Sequence, residues 1–421
     1  MMDRMNEPTL TGPELENAVV RQLHNVRVFL IIMTAGSIVA AARRMNKAPS
    51  AVTRSLQELE RCIGRTLCER NAQGVVPTPH GRLTLTRAER IADELGRAAA
   101  ELARDRSRSS SASPSALTDF LFNGRKLALL VQIGDAGTLS AAAEQSGIRQ
   151  SGASMALSRM EAMLGLILFH RGKHGLSATQ TAKRLMLHAR RVFSESRHLA
   201  AELSDEAGVL RGSIVLGTSP LGRTHILPMA VAASLRRHPD IRITMIESAI
   251  GQLLASLRAG QIDAVVGVPR REEENSGLTI EPLFRDSMAV IARADHPLAA
   301  RQLSHADLRD ASWLLPWPHS PSRQLFDHGI RTLGLEPPAA SVESADLATI
   351  RQLLLATDLL ALVSARQMRF ELRSGLAVEL STPLPVIARD VALITRKQAL
   401  LSPAADAVMA AIRDQVRDEE D

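Results

Sequence analysis

The sequence predicts a multidomain chain in which two copies of a small helix-turn-helix module precede a larger α/β half. Three observations carry this. Residues Ala35 to Arg70 recur without a gap 101 positions later, as Ala136 to Arg171. Positive charge is concentrated on those two copies. From Gly212 onward, short apolar runs alternate with amphipathic stretches of helical length, the pattern of strands and crossover helices.

The repeat holds position by position. Gly36-Ser37 falls on Gly137-Thr138, Ala41-Ala42 on Ala142-Ala143, Ser50 on Ser151 and Thr53 on Ser154. Leu56 falls on Leu157, Glu60 on Glu161, Gly64 on Gly165, Leu67 on Leu168, Arg70 on Arg171 and Thr78 on Thr179. Two copies are too few to stack as a solenoid, so the pattern predicts two small domains from one duplicated unit.

Each copy reads as helix, break, helix. Ser37 and Thr138 stand where a hydroxyl accepts from a free backbone N–H and starts a helix. A second break follows, Asn46 to Pro49 in copy one and Gly147 to Gln150 in copy two. The next helix of copy one turns Val52, Leu56 and Leu59 to one side and Ser50, Thr53, Arg54 and Gln57 to the other. This is the helix-turn-helix pattern, whose second helix lies in a DNA major groove and offers polar residues to base edges and phosphates. An amphipathic helix with a merely wet polar face has the same spacing, and charge separates the two readings. Residues 21–87 carry 11 Lys+Arg against 3 Asp+Glu, and residues 125–191 carry 10 against 3. Residues 207–421 carry 23 against 25. The excess sits where phosphate would be met. Candidate DNA contacts are Lys47, Ser50, Thr53, Arg54, Gln57 and Arg70 in copy one, and Arg149, Gln150, Ser151, Ser154, Ser158 and Arg171 in copy two.

Gly36-Ser37, Ala41-Ala42, Ser50 to Thr53, Leu59-Glu60, Ile63-Gly64, Leu67, Arg70 and Thr78 to Gly81 together resemble the winged helix-turn-helix of LysR-type transcriptional regulators. Copy two resembles it through Gly137 to Leu139, Ala142-Ala143, Ser154, Met160-Glu161, Leu164-Gly165, Leu168-Phe169 and Arg171. Ala48, Ser50, Ser151 and Cys68 depart from residues usual in that family. Gly147 and Gly152 flank the start of the second reading helix, where a mid-helix Gly costs about 1 kcal/mol relative to Ala.

Taken in order, residues 1–20 are polar and expected to be loosely ordered. The first module spans 20–104, with a wing at Asn71 to Pro79 and a long helix from Arg82 to Arg104 carrying Leu83, Ile91, Leu95 and Leu102. Residues 105–116, Ser-rich with Arg and one Pro, predict a flexible linker. The second module spans 117–207 and ends in a helix from Gln180 to Ala207. In the resemblance such helices pair two subunits. Here the two helices are expected to pack on each other, so that one chain mimics a two-subunit DNA head. Cys62 and Cys68 lack companion ligands and suit core packing. His170 and His174 sit in the wing of copy two and predict no metal site.

The remainder, 208–421, predicts a parallel α/β sheet. Its strands include Ser213 to Gly217, Ile241 to Glu247, Asp263 to Val268, Met288 to Ala292 and Ala388 to Thr395, with helices at Ile226 to Arg237 and Gly251 to Ala259. Arg211-Gly212, Leu227-Pro228, Pro239, Leu257 to Gly260, Ile262-Asp263, Pro282-Leu283 and His296 to Leu298 resemble the effector domain of the same family. That resemblance implies a periplasmic-binding-protein-like fold, with one lobe at about 212–290 and 388–415 and the other at about 291–387. Pro220-Leu221, Gly267 with Arg270, and Ser320 to Arg323 resemble the branch responding to sugars or aromatic acids.

Ligands of open α/β sheets bind beyond the carboxyl ends of strands. This places Thr218, Ser219, Pro220, Ser248 and Pro269 on one side of a cleft, and Ser320, Ser322 and Arg323 on the other. A guanidinium with hydroxyls and helix N-termini favours a small organic acid. A sugar would call for an aromatic platform, for which Trp317 is the candidate. Ser219 and Ser248 are equally read as helix caps, and Arg323 as a salt bridge.

The predicted function is a sequence-specific transcriptional regulator controlled by a small molecule. The partners implied are double-stranded DNA, the effector, further copies of the chain as a dimer or tetramer, and RNA polymerase. No cofactor or metal is expected. With no secretory leader and no apolar run of about 18 residues, a cytoplasmic protein without a membrane span is expected. The rival reading is an α/β small-molecule-binding protein or enzyme whose helix-turn-helix modules serve interaction. The sequence has no Gly-rich phosphate loop, Cys/His metal spacing or nucleophile elbow to favour an enzyme.

Overall fold

The structure is a computed structural model. It describes residues 13–420 apart from 72–73, 106–112, 174, 206–208, 220–221, 223 and 271. The first module comprises α1 (Pro13–Arg21), α2 (Leu23–Ala35), α3 (Ile38–Met45), α4 (Pro49–Ile63), the hairpin β1 (Cys68–Asn71) and β2 (Gly74–Pro77), and α5 (Pro79–Asp105). The second repeats every element in order: α6 (Pro114–Leu121), α7 (Gly124–Ala136), α8 (Leu139–Gln145), α9 (Gln150–Leu164), β3 (Phe169–Gly172), β4 (Gly175–Ala178) and α10 (Gln180–Ser204).

Residues 13–20 are not loose, because α1 buries Leu15 and Val19; residues 1–12 lie outside the described residues. The predicted linker is also shorter than 105–116. Asp105 still belongs to α5, and α6 begins at Pro114. Ser113 caps α6 by accepting from the Ala116 N–H at 3.2 Å. Serine followed by proline, read as linker composition, is also an N-cap with Pro at the first helical position. Residues 106–112 lie outside the described residues. The two long helices begin at Pro79 and end at Ser204, not at Arg82 and Ala207. Leu83 is 39 % exposed, because the buried face of α5 runs through Thr84, Arg87, Ala88, Ile91, Glu94, Leu95, Ala98 and Leu102.

The local devices are the same in both copies. Ser37 accepts from the Ala40 N–H at 3.1 Å and Thr138 from the Ala141 N–H at 3.3 Å. Glu60 and Glu161 each accept from a backbone N–H at 2.8 Å, of Leu67 and Leu168 respectively, which ties each reading helix to its wing. The wings also touch the helix-turn corners. A Cβ at Gly74 would lie 2.6 Å from the Gly36 carbonyl oxygen, and one at Gly175 2.5 Å from that of Gly137. Only glycine permits that approach, and φ is +127° at Gly74 and +116° at Gly175.

One continuous apolar core runs through both modules, from Phe29 and Ile32 through Leu95 to Leu130, Ile133, Val192 and Leu199. The helices α5 and α10 pack on each other. Their pairings run in opposite directions: Arg87 meets Glu195 and Glu202, Glu94 meets His188, and Glu101 meets Arg184. Among the described residues no single helix is long and apolar enough to cross a membrane. Helices α1 and α2 pass that test only together, across a 69° bend, and their buried apolar residues belong to this core.

The second half continues with β5 (Gly212–Thr218), α11 (Ile226–Arg237), β6 (Ile241–Glu247), α12 (Ile250–Arg258), β7 (Ala264–Gly267), β8 (Leu278–Arg293), α13 (His305–Asp310) and β9 (Trp313–Leu315). There follow α14 (Pro321–Thr332), β10 (Ala340–Glu343), α15 (Leu347–Ala356), β11 (Leu360–Ser364), α16 (Arg369–Arg373), β12 (Ala377–Glu379), β13 (Ile387–Arg396) and α17 (Pro403–Glu420). The nine strands form one sheet ordered β10-β9-β11-β8-β13-β7-β5-β6, with β12 on β8. The sheet is mixed, not parallel. Strands β5, β6 and β7 run parallel, as do β9, β10 and β11, but β8 and β13 are antiparallel to each other and to their flanking neighbours β7 and β11. A chain that leaves one lobe and returns from the other needs two opposed crossing strands, and β8 and β13 are those. Apolar clusters on both sheet faces fill the first lobe around Ile214, Leu216 and Leu257. Two more fill the second lobe around Trp313, Phe326 and Ile350.

Candidate functional site

The candidate reading face is built on α4 and α9. In α4 the apolar Val52, Leu56, Leu59 and Ile63 are buried. Ser50, Arg54 and Gln57 are exposed, and Thr53 is half-buried. Thr53 Oγ1 donates to the Pro49 carbonyl at 3.0 Å, and Arg54 Nε donates to Glu58 Oε1 at 3.0 Å. Arg54 keeps 82 % of its side chain exposed. Lys47, exposed in the turn, has its Nζ 3.1 Å from His24 Nε2. Burial, then the charges of Lys47 and Arg27, push the His24 imidazole below its ordinary pKa. Arg70 is exposed on β1.

On α9, Gln150, Ser151 and Ser158 are exposed and Ser154 is half-buried; Arg149 is exposed at the N-cap. Arg171 is exposed on β3. His174 lies outside the described residues. The N-caps of the two reading helices, Ala48 and Arg149, make no side-chain cap bond. The positive pole of each helix is thus left without a side-chain acceptor. Among the positions where the copies differ, two in copy two were not singled out from the sequence. Where copy one exposes Lys47 and Arg54, copy two exposes Ile148 (42 %) and Met155 (55 %). Cys68 is half-buried in the wing, and burial and the Glu60 carboxylate push its thiol up to about 11.

Between the lobes lies a cavity of about 310 Å³. Ser219 and Ser248 reach it from the first lobe, and Ser320, Ser322, Ser344 and Gln367 from the second. Ile250, Val268, Met288, Leu347, Ile350, Leu362 and Val363 supply apolar lining. Three helices begin at its wall: α12 at Ile250, α14 at Pro321 and α15 at Leu347. Ser320 Oγ accepts from the Arg323 N–H at 3.3 Å and caps α14, whereas Ser248 Oγ donates to the Gln252 side chain and does not cap α12, whose N-cap is Ala249.

Several of the predicted cleft residues stand elsewhere. The Arg323 side chain folds back along its own helix, with Nε 2.8 Å from Asp327 Oδ1 and Nη1 3.6 Å from Glu343 Oε1, and it does not line the cavity. Its salt-bridge reading is the correct one, because Asp327 sits one turn on and captures it. Thr218 is buried, with its hydroxyl donating to the Ser219 carbonyl at 2.9 Å. Pro269 does not line the cavity, and Trp317 is 56 % exposed outside it. Pro220 lies outside the described residues. The guanidinium in the cavity belongs to Arg389, which the sequence reading missed. Arg389 faces Asp286 in the register of β13 and β8. Its Nε donates to Asp286 Oδ2 at 3.0 Å and its Nη1 to Ser322 Oγ at 2.8 Å. Asp286 is fully buried and also accepts from Ser364 Oγ at 2.6 Å. The cavity's cation is thereby fixed at the point where the chain crosses between lobes.

The first lobe is bolted to both long helices. From α10, Arg191 Nε donates to the Arg258 carbonyl at 2.8 Å, and Arg197 Nη2 to Asp263 Oδ1 at 2.5 Å. From α5, Arg87 donates to the Leu400 carbonyl at 2.8 Å and Arg90 to that of Gln398 at 2.9 Å. Burial opposes ionisation of Asp263, but the hydrogen bond to His198 and the charge of Arg197 outweigh it and hold the carboxyl below its ordinary value.

Residues 23–82 and 125–183 both match the bacterial regulatory helix-turn-helix of the lysR family, and residues 207–417 match the LysR substrate binding domain. The HTH-type transcriptional regulator GalR of Pseudomonas putida is 37 % identical over 397 residues, 94 % of this chain and 98 % of that protein. The uncharacterized HTH-type transcriptional regulator YdcI of Escherichia coli is 26 % identical over 69 % of this chain and 94 % of its own length. In fold the chain is similar to a full-length OxyR variant from Pseudomonas aeruginosa, with a TM-score of 0.51 at 22 % identity over 70 % of this chain and 94 % of that one. It is also similar to CbnR, a LysR family transcriptional regulator, with a TM-score of 0.50 at 18 % identity over 69 % and 98 %. With both kinds of family domain matched along its length and a relative of this identity covered almost end to end, the chain belongs to the LysR family of transcriptional regulators.

Proposed function

We propose that this chain regulates transcription by reading duplex DNA with its helix-turn-helix modules, under control of a small, largely apolar carboxylate held between the lobes. An aromatic acid fits best. The observation that carries the effector class is the cavity's make-up. It has an apolar lining, one guanidinium at Arg389 and the N-termini of α12 and α14, with no acidic side chain among the described residues that line it; the third helix there, α15, is capped by the Asp346 carboxylate. Helix N-termini and a fixed guanidinium favour a carboxylate, and an apolar wall favours a ring. The Ser219, Ser248 and Ser320 hydroxyls would orient polar substituents. A sugar lacks its platform, since Trp317 stands outside.

Lobe closure on the effector would reach the reading modules through the bolts from Arg191 and Arg197 on α10 and Arg87 and Arg90 on α5. The effector would act as a shift between two poses of the head. Calorimetry with benzoate and ring-hydroxylated benzoates, against the matching benzamides and hexoses, tests the effector class. Carboxylates are expected to bind and their neutral amides to bind at least about tenfold more weakly, the loss of one charge-assisted pair. Hexose binding with inert carboxylates overturns the reading. Met288→Trp, which fills the cavity, should abolish binding while leaving the melting transition cooperative.

A further inference from the structure

We propose that a single chain reads one operator made of two unlike half-sites. The α4 half contacts its bases through cationic and amide side chains, and the α9 half contacts thymine methyl groups. This deepens the DNA-reading function above and rests on it.

The first support is symmetry. In a two-fold interface between identical surfaces, residue i meets j and the partner's j meets i. Adding the repeat offset turns Arg87 into His188 and Glu94 into Glu195. Arg87 pairs with Glu195 at 2.6 Å, and His188 pairs with Glu94 at 2.7 Å. These are the two mates of one such interface, formed between two halves of one chain. The interface is buried: Arg87 is fully buried, and His188 and Glu94 are 5 % exposed. Around it α1 packs on α10 and α7, and Arg27 on α2 pairs with Asp119 on α6 at 2.9 Å. A Cβ at Gly124 would lie 1.8 Å from the Val20 carbonyl oxygen, so the modules meet backbone to backbone. The surface that a second chain's module would need is already occupied by the first chain's own repeat. The same pseudo-twofold relates α4 to α9, so the head carries two readers.

The second support is that the readers have diverged at their tips while their scaffolds have not. Ser50 and Ser151 match, and Thr53 and Ser154 both keep a hydroxyl. Lys47 is replaced by Ile148, Arg54 by Met155, Gln57 by Ser158 and Arg61 by Ala162, while the exposed Arg149, Gln150 and Arg159 stand where copy one has Ala48, Pro49 and Glu58. What separates the tips is the two apolar side chains of copy two, not its net charge. Ile148 and Met155 are among the large apolar side chains that stand exposed. Apolar side chains on a reading helix complement the C5-methyl of thymine, whereas Arg and Gln complement guanine and adenine edges.

The test is selection of binding sites from a random-sequence duplex library by the full-length chain, followed by native mass spectrometry on the shortest selected duplex. A non-palindromic site is expected, with one half rich in A·T pairs, and one chain per pair of half-sites. The variant I148K/M155R should pull the second half-site towards the first and make the selected site more nearly palindromic. Met155→Ala should weaken binding to the wild-type site on the order of tenfold, one base contact's worth. A palindromic site holding one chain per half overturns the proposal. So does an unchanged site in I148K/M155R with both variants melting as the parent, because the second module is then scaffold. If the wild-type chain enriches no sequence and shows no salt-dependent binding to duplex DNA, the DNA-reading function itself fails.

Discussion

The two modules share every element and differ in how each element is used. Copy one places a fully buried guanidinium at the helix interface, where Arg87 bonds Glu195 and Glu202; copy two places the imidazole of His188 at the equivalent position, against Glu94. Copy one shows Lys47 and Arg54 at its reading tip; copy two shows Ile148 and Met155. A duplicated unit thus keeps its apolar core and caps, which folding requires of both copies. It varies the charged and polar positions, both in the buried seam between the copies and on the exposed tips. The difference teaches where function is divided within one chain.

The comparison is broken most severely at Arg87. Arg87→Ala leaves Glu202 without its buried partner, while Glu195 keeps Arg90 at 2.8 Å, and should cost about 3 kcal/mol of stability, the low end for a broken buried pair. His188→Ala should cost only about 1–3 kcal/mol, the range for one lost buried hydrogen-bond partner. Urea midpoints of the two variants check the asymmetry, and equal losses would contradict it.

Acid sharpens the same contrast. Burial works against ionisation of Glu94, but the hydrogen bonds to His188 and Arg97 and the Arg191 charge overcome it and hold the carboxyl at about 2, against 4.5 in the unfolded chain. A lowered carboxylate pKa contributes stability that is full above pH 4.5 and is lost as pH falls towards 2. Between about pH 7 and about pH 3 the wild type should lose about 2 kcal/mol relative to Glu94→Gln. Parallel melting curves of the two proteins over that range measure it.

At the reading tips the expected effect is on salt dependence. Lys47→Ala should reduce the slope of log affinity on log salt by about one, whereas Ile148→Ala should leave it unchanged. Titrations across a range of salt concentrations decide it. The smallest effect lies in the scaffold of α9. A Cβ at Gly152 meets nothing within 4 Å, so Gly152→Ala should stabilise the second module by up to about 1 kcal/mol.

Much of this was legible in the sequence because it is written in local patterns. The repeat offset, the caps at Ser37 and Thr138, and the helix from Ile226 to Arg237 follow from spacing and residue type. The crossing strands β8 and β13 did not read as antiparallel, because strand direction is a property of topology and not of periodicity. Arg323 was chosen for the cleft because it follows Ser320 and Ser322 in sequence. Arg389, which does line it, sits in a strand with no motif beside it, and its place depends on pairing with Asp286 across the sheet. The exposed Ile148 and Met155 had a signal available in the aligned copies, since each replaces a cation.

The joining of two readers to one effector domain has a consequence for how the regulator answers its signal. A head assembled from two chains would bring two clefts to each operator, and occupancy of one could favour the other. In the single-chain head proposed above, one cleft would serve both readers, through α5 and α10 together. Such a head has no second cleft to couple to, and its response should saturate with a Hill slope of about one. The chain would then report effector concentration in graded fashion, as a gauge and not a threshold switch.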